Sequence, residues 1–468
     1  MRRGIFKIFI LLAFVQVFTG KSLLHSQTLQ KNQIIDTIRC TEQPGQSYAL
    51  YLPAQYDPAK HWPLIMIFDP SARGNTAVSI FREAGSKFGY ILACSNNSRN
   101  GPVSVNLSAA WAVLQDLDKR FNIDQKRIFV AGFSGGSRFA MALASTDKII
   151  AGVIGCGAGL PNDNVMYPGS GSDFIYYGLA GTRDMNYPEM HDLAGFLQNQ
   201  TKVVAFIRTF EGGHQWPDHA LITNAVEWIT FQSMRRKVIP VDNVFITAYR
   251  DEAKTLINSS LSTGDIGAAV QYMRFAARDF EGTAYASEMN GLLSSSEGSA
   301  EYRKAIKDQN TLAANEKSRK EKFFSYLNEL VYSGSIPDTA SSWWKREVGS
   351  LVRLRDRGSL SNSQMASRIL NFISILCSGQ GTAFYRNKAY FQASVMFQIC
   401  TISDSENPQN YFNLSRSLAA NGKTKESVEA LSSAVIHGFT SRKTIETDPV
   451  FDKIREDQKY KALLIKMK

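Results

Sequence analysis

Cysteine is scarce. The 468 residues contain five, Cys40, Cys94, Cys156, Cys377 and Cys400, and no two stand as C-x-x-C. Zinc ribbons and small disulfide-stapled scaffolds need denser, regularly spaced cysteines, so both are excluded. Long hydrophobic runs are also missing. No stretch reaches the eighteen or so apolar residues that a permanent membrane span requires. Nor is charge of one sign concentrated anywhere. The formal net charge is +11, but residues 1–27 hold Arg2, Arg3, Lys7 and Lys21 and no acid. Residues 28–240 carry 19 basic and 17 acidic groups, and residues 241–468 carry 30 and 25, so the remaining excess is thinly spread. The densest basic patch, Lys317-Ser318-Arg319-Lys320-Glu321-Lys322, lies among helix formers and includes an acid. It reads as a solvated helix face, whereas nucleic-acid binding calls for a concentrated basic surface. What the chain does have is 44% hydrophobic and 20% charged residues, enough to build real cores in two to three domains.

The N-terminus has the order of an export signal. Met1–Lys7 is short and cationic, Ile8 to Phe18 is apolar except for Gln16, and Thr19-Gly20 supplies small residues. About a dozen apolar residues are too few to anchor a helix across a bilayer, so residues 1–27 are read as a cleaved signal peptide. Cleavage falls after Gly20 or near Ser26-Gln27, and the competing reading is an uncleaved N-terminal anchor. The expected location is periplasmic or secreted, with no stable membrane span once the signal is removed. Cys94 and Cys156 lie in apolar runs and read as small core residues.

Between residues 42 and 240 strand and helix patterns alternate. Short apolar runs occur at Tyr48–Leu52, Leu64–Phe68, Tyr90–Cys94, Arg127–Gly132, Gly152–Cys156, Phe174–Leu179 and Val203–Phe210. Most are continuously apolar, as strands covered on both faces must be. Helical spacing separates them, clearest over Leu107–Arg120 and Ala220–Met234. The expectation is a doubly wound α/β domain of parallel strands, with its chemistry at their carboxyl ends.

Three of those ends carry chemically useful residues. Gly132-Phe133-Ser134-Gly135-Gly136 follows the strand Arg127–Ala131 and opens the helical run Ser137–Ala144. In this strand-to-helix context G-x-S-x-G is a nucleophile elbow: the turn strains the serine into an exposed position, and the flanking glycines let the backbones approach. The N–H of Gly135 then faces a developing oxyanion. Gly181-Thr182-Arg183-Asp184 and Glu211-Gly212-Gly213-His214-Gln215-Trp216 follow two later strands. The order Ser134, Asp184, His214 is that of the α/β-hydrolase triad: an imidazole to take the serine proton and a carboxylate to hold the ring. Among six histidines only His219 rivals His214, and it sits where the next helix begins. Asp173 and Asp218 are alternatives for the acid, and Asp184 also suits the cap of a helix starting near Asn186 or Tyr187.

A second oxyanion donor is expected from the loop Asp69-Pro70-Ser71-Ala72-Arg73-Gly74. Pro70 has no N–H, which leaves Ser71 or Ala72, with Ser71 preferred. The loop Ser95–Gly101 reads either as substrate-binding through Asn97 or as an Asn-rich turn. Trp216 and Tyr187 follow the base and the acid, and read as pocket-lining or as packing. No metal and no cofactor is called for.

Residues 42–236 resemble α/β-hydrolase-fold esterases, particularly polyhydroxybutyrate depolymerases, feruloyl esterases and dienelactone hydrolases. The segments that carry the resemblance are Pro63–Phe68, Arg127–Gly136, Gly181–Asp184 and Gly213–Trp216. It implies a Ser134–His214–Asp184 triad acting through an acyl-enzyme. The chain departs from the pattern where Asp69-Pro70 replaces the usual His-Gly, and it lacks the cysteine nucleophile of dienelactone hydrolases.

After Val238-Ile239-Pro240 the strand pattern stops, and residues 241–378 read as an α-helical region. Residues 379–468 show a 34-residue period, in which Gly381, Phe384, Ala393, Phe397 and Cys400 recur as Ser415, Leu418, Ser427, Leu431 and Ala434. These small and large positions resemble tetratricopeptide helix pairs, closed by a cap helix after Asp448-Pro449; a plain helical bundle is the alternative. The functional expectation is an exported serine hydrolase of carboxylic esters acting on a small-molecule or oligomeric ester. Amide or peptide hydrolysis is the chemical alternative. A catalytically weak scaffold, whose helical repeats bind a protein partner, is the alternative of a different class.

Overall fold

The computed structural model describes residues 29–333 and 338–467. The expected signal segment, residues 1–27, lies outside the described residues. Eight strands form one sheet: β1 (Ile34–Arg39), β2 (Ser47–Tyr51), β3 (Trp62–Phe68), β4 (Ile91–Ser95), β5 (Ile123–Phe133), β6 (Ile150–Cys156), β7 (Ile175–Gly181) and β8 (Val204–Phe210). Their order is β1-β2-β4-β3-β5-β6-β7-β8. From β4 onward all neighbours are parallel, joined by α1 (Gly74–Phe88), α2 (Val103–Arg120), α3 (Gly135–Thr146) and α4 (Tyr187–Gln200), with α5 (His219–Arg235) after β8. This is the α/β-hydrolase fold.

The parallel-sheet expectation needs one correction at the edge. β2 runs antiparallel to both β1 and β4, because no crossover helix separates it from either β1 or β3. β1 itself was not visible as a strand: Ile34–Arg39 is neither continuously apolar nor regularly alternating, and half of it is exposed, as an edge strand is. It carries the sheet beyond the expected start at residue 42. The central strands show why the continuous apolar runs were legible. Every residue of β3 and β4 is buried, with helices covering both faces.

The remaining chain is helical: α6 (Asn243–Ser262), α7 (Ile266–Asp279), α8 (Ala286–Glu297), α9 (Ala300–Ser333), α10 (Asp338–Arg357), α11 (Leu360–Arg386), α12 (Tyr390–Ser403), α13 (Pro408–Ala420), α14 (Thr424–Ile436), α15 (Arg442–Thr447) and α16 (Gln458–Lys466). Residue 240 does not divide the cores. The apolar core of the sheet continues without a break through Tyr249, Val270, Tyr272 and Phe280 to Tyr302. Phe206 of β8 packs on Tyr272 and Phe275 of α7, and the buried Trp228 indole donates to Asp279 at 2.8 Å. Residue 378 is no boundary either, since it falls inside α11, whose buried face runs from Met365 through Cys377 to Gly381. A second core joins α9 to α12, and a third joins α13 to α16. Where the 34-residue period puts small residues, helices cross closely. Gly381 lies against Met396 and Phe397, while Ser415 and Ser427 exchange hydroxyl-to-carbonyl bonds of 2.8 and 2.9 Å. Among the described residues, no helix is long and apolar enough to cross a membrane.

Candidate active site

The elbow forms where β5 turns into α3. Ser134 has φ 52° and ψ −120°, a left-handed backbone costly for any residue with a Cβ. It is held there from both sides: its N–H donates to Cys156 O at 2.8 Å, and its carbonyl accepts from Ser137 and Arg138. Glycine is obligatory around it for steric reasons. A Cβ on Gly132 would run into the backbone of Gly136 and Ser137, and one on Gly136 would run into the Phe68 carbonyl of β3. No side chain can yield in those contacts, because the obstructing atoms are backbone.

The fold brings Ser134, His214 and Asp184 into line. His214 Nε2 lies 2.9 Å from Ser134 Oγ, and His214 Nδ1 lies 2.9 and 3.0 Å from the two Asp184 oxygens. Because the carboxylate can only accept, Nδ1 carries the proton, and Nε2 is left as an acceptor for the serine hydroxyl. Asp184 is 1% exposed; it also accepts from Asn186 N–H at 2.9 Å, so it caps the turn into α4 and holds the histidine at once. Phe133 lies against the His214 ring at 4.7 Å and separates it from bulk water on one side. The rival groups are engaged elsewhere. His219 Nδ1 faces the Ile80 carbonyl, Asp218 caps α5, and Asp173 pairs with Arg236.

The loop expected to supply the second oxyanion donor is folded inward. Asp69, 1% exposed, gathers Ser71 N–H at 2.8 Å, Arg73 N–H at 3.3 Å, the Arg73 Nε–H at 3.0 Å and one terminal NH2 at 2.9 Å, and the Trp216 indole N–H at 3.0 Å. Ala72 N–H donates to the Asp69 carbonyl at 3.1 Å. Burial alone would raise the Asp69 pKa, but the bonds from Arg73, Trp216 and the loop N–H groups outweigh it and hold the carboxyl below its usual range. Ser71 therefore has no free N–H to offer, and neither does Ala72. The reason lies in Asp69: its buried carboxylate draws the Ser71 and Arg73 donors to itself, and its carbonyl takes the Ala72 N–H.

The three residues suggested for substrate contact occupy different settings. Trp216 is tied to Asp69 and packs on Phe81 at 6.0 Å and, at 5.4 Å, on Phe133, the ring that itself lies on His214. Asn97 accepts from Ser47 N–H and donates to Gly45 O, so its amide pins the β1–β2 turn. Tyr187 lies under the Arg368 guanidinium, 4.7 Å from its ring centre, and burial pushes its hydroxyl up to about 12. A separate small cleft between the sheet and α5 to α7, lined by Tyr177, Arg208, Trp228 and Tyr272, contains none of the triad.

Sequence reasoning did not anticipate that the helical region grips the acid loop. Arg368 on α11 donates to Thr182 O at 2.7 Å, Asn371 donates to Arg183 O at 3.0 Å, and Lys320 on α9 donates to Met185 O at 3.1 Å. Arg368 is anchored by Glu316, its two contacts being 2.6 and 2.9 Å, and both residues are buried. Contacts between residues nearly 190 apart leave no local signal. Among the described residues, no cluster of His, Cys, Asp and Glu is placed to hold a metal ion.

Neither a protein-family model nor a curated protein matches the chain. Similar solved structures include apo Thermogutta terrifontis esterase 2, 12% identical over 44% of this chain and 96% of that one, TM-score 0.36. A Pyrobaculum calidifontis esterase is 14% identical over 45% and 87%, TM-score 0.35. The metagenomic carboxylesterase EstE1 is 14% identical over 43% and 90%, TM-score 0.35.

Proposed function

We propose that this protein is an exported serine hydrolase that cleaves carboxylic esters through an acyl-enzyme. The observation that carries this reading is the line from Asp184 through His214 to Ser134, with 2.9 Å at each link. His214 Nε2 removes the hydroxyl proton as Ser134 Oγ attacks the carbonyl carbon, and the Gly135 N–H receives the developing oxyanion. Asp184 keeps the ring in the tautomer that can accept and stabilises the imidazolium. Collapse breaks the bond to the alcohol, which takes the proton from His214. Water then repeats the sequence and frees the acid and Ser134. An amide is cleaved by the same steps, so ester preference is a matter of the pocket.

Residues 1–27, read as a signal peptide, direct this chemistry to the periplasm or the exterior. We read the pairs α11–α12 and α13–α14 as tetratricopeptide-like. Their small residues at the helix crossings support this, and their outer faces offer a surface to a protein partner. The test is hydrolysis of short p-nitrophenyl esters by the purified protein and by Ser134→Ala, together with fluorophosphonate labelling. Turnover and labelling that vanish in the variant establish the activity. Their absence from the unsubstituted protein overturns it and turns attention to the helical region as a scaffold.

A further inference from the structure

This inference rests on the Ser134 hydrolase reading and adds a residue to it. A tetrahedral oxyanion is stabilised by preorganised donors converging on one point. The Gly135 N–H opens α3 and donates to no group among the described residues, so it is available. Its partner is missing from the loop after β3, where Pro70 has no N–H and those of Ser71, Ala72 and Arg73 all turn toward Asp69.

We propose that the side-chain amide of Asn100 is the second oxyanion donor. Asn100 lies in the loop between β4 and α2, and its amide lies directly against Gly135. A Cβ placed on Gly135 would collide with Asn100 Oδ1 and sit 2.9 Å from Cγ and 3.5 Å from Nδ2. Glycine after the nucleophile is what leaves room for this amide.

The backbone that carries Asn100 is fixed. Its N–H donates to Pro70 O at 2.9 Å, and Asn106 on α2, itself buried, grips both polar groups of Arg99 at 3.1 and 2.8 Å. The Asn100 amide, by contrast, makes no hydrogen bond to any described residue. Nothing has to be broken for it to serve a ligand, and its terminal torsion is broad enough to turn the NH2 toward an oxygen at Gly135 N–H. Asn97, in the same loop, has spent its amide on Gly45 and Ser47.

The test compares Asn100→Ala and Asn100→Asp with the unsubstituted full chain on p-nitrophenyl acetate. Thermal unfolding of each is recorded alongside. Loss of one oxyanion donor lowers kcat about 100- to 1000-fold, with KM moving far less. The aspartate variant preserves shape without the donor, so its loss should equal or exceed that of the alanine variant. Gly135→Ala, which displaces the amide and leaves it intact, should fall comparably. Unfolding midpoints should not move for the two Asn100 variants, since the side chain has no partner to lose. Asn100 variants within about threefold of the parent in kcat, beside a parent whose turnover disappears in Ser134→Ala, overturn the assignment and leave the hydrolase intact. They would point to an Asp69 loop that opens to release Ser71 N–H. A parent without Ser134-dependent turnover overturns both.

Discussion

Arg368 offers the sharpest test of whether the helical region takes part in catalysis. It is 4% exposed and its partner Glu316 is 2% exposed, so the guanidinium and the carboxylate are both nearly out of reach of water. Arg368→Ala removes the cation, the bond to Thr182 O and the face that covers Tyr187. Leaving one member of a buried pair alone costs about 3–5 kcal/mol. Lys320 Nζ stands 2.8 Å from the other Glu316 oxygen and still offsets part of the stranded charge, so the lower end applies. At about 1 °C per kcal/mol for a chain of this length, the midpoint of thermal unfolding should fall by about 3 °C. The Thr182-to-Asn186 loop would also lose a restraint. A small displacement of Asp184 is passed to His214, so kcat should drop about tenfold at nearly constant KM. The double variant Arg368→Met with Glu316→Gln removes both charges and should recover most of the stability. It should not recover kcat, because Thr182 O remains uncapped. Calorimetry and p-nitrophenyl ester kinetics on the same preparations separate the two effects. An Arg368→Ala protein with unchanged midpoint and unchanged kcat would refute the coupling.

Three further outcomes are expected. Asp69 is held as an anion by its donors, and because its folded pKa lies below the ordinary carboxylate value of about 3.9, its contribution is present above that pH and lost as pH falls through the folded value. Asp69→Asn should accordingly lower stability at pH 7 by about 2 kcal/mol or more, with the gap to the parent closing in strong acid, measured by denaturant unfolding at several pH values. All five thiols are buried, burial raising Cys40 to about 11 and Cys94 and Cys156 further, so Ellman's reagent at pH 8 should find none in the native protein and five after unfolding. Finally, a chain ending at residue 240 should aggregate rather than fold, because it uncovers Phe206 and the wholly buried Trp228, which Tyr272, Phe275 and Asp279 enclose; a soluble monomer on size-exclusion chromatography would contradict the shared core.

β3, β4 and β7 were legible because every residue in them is buried, so that they read as nearly unbroken apolar runs. β1 was not, since an edge strand needs only a few inward side chains. The elbow was legible for a steric reason: Gly132 and Gly136 lie where backbone meets backbone, and no other residue fits. The helical period was visible where small residues such as Ser415 and Ser427 meet across a crossing. The domain limits at 240 and 378 were not, because shared cores and uninterrupted helices leave no mark in composition.

What the sequence by itself determined is the set of reactive types and the strand ends on which they sit, since strand, turn and glycine are local properties. Which of them meet was decided by tertiary structure alone. The triad distances, the bond from Trp216 to Asp69, the placement of Asn100 beside Gly135 and the hold of Arg368 on the acid loop all join residues far apart in the chain. Hydrogen bonding is satisfied by whatever donor the fold brings near. A sequence records the donor, and only packing records its acceptor.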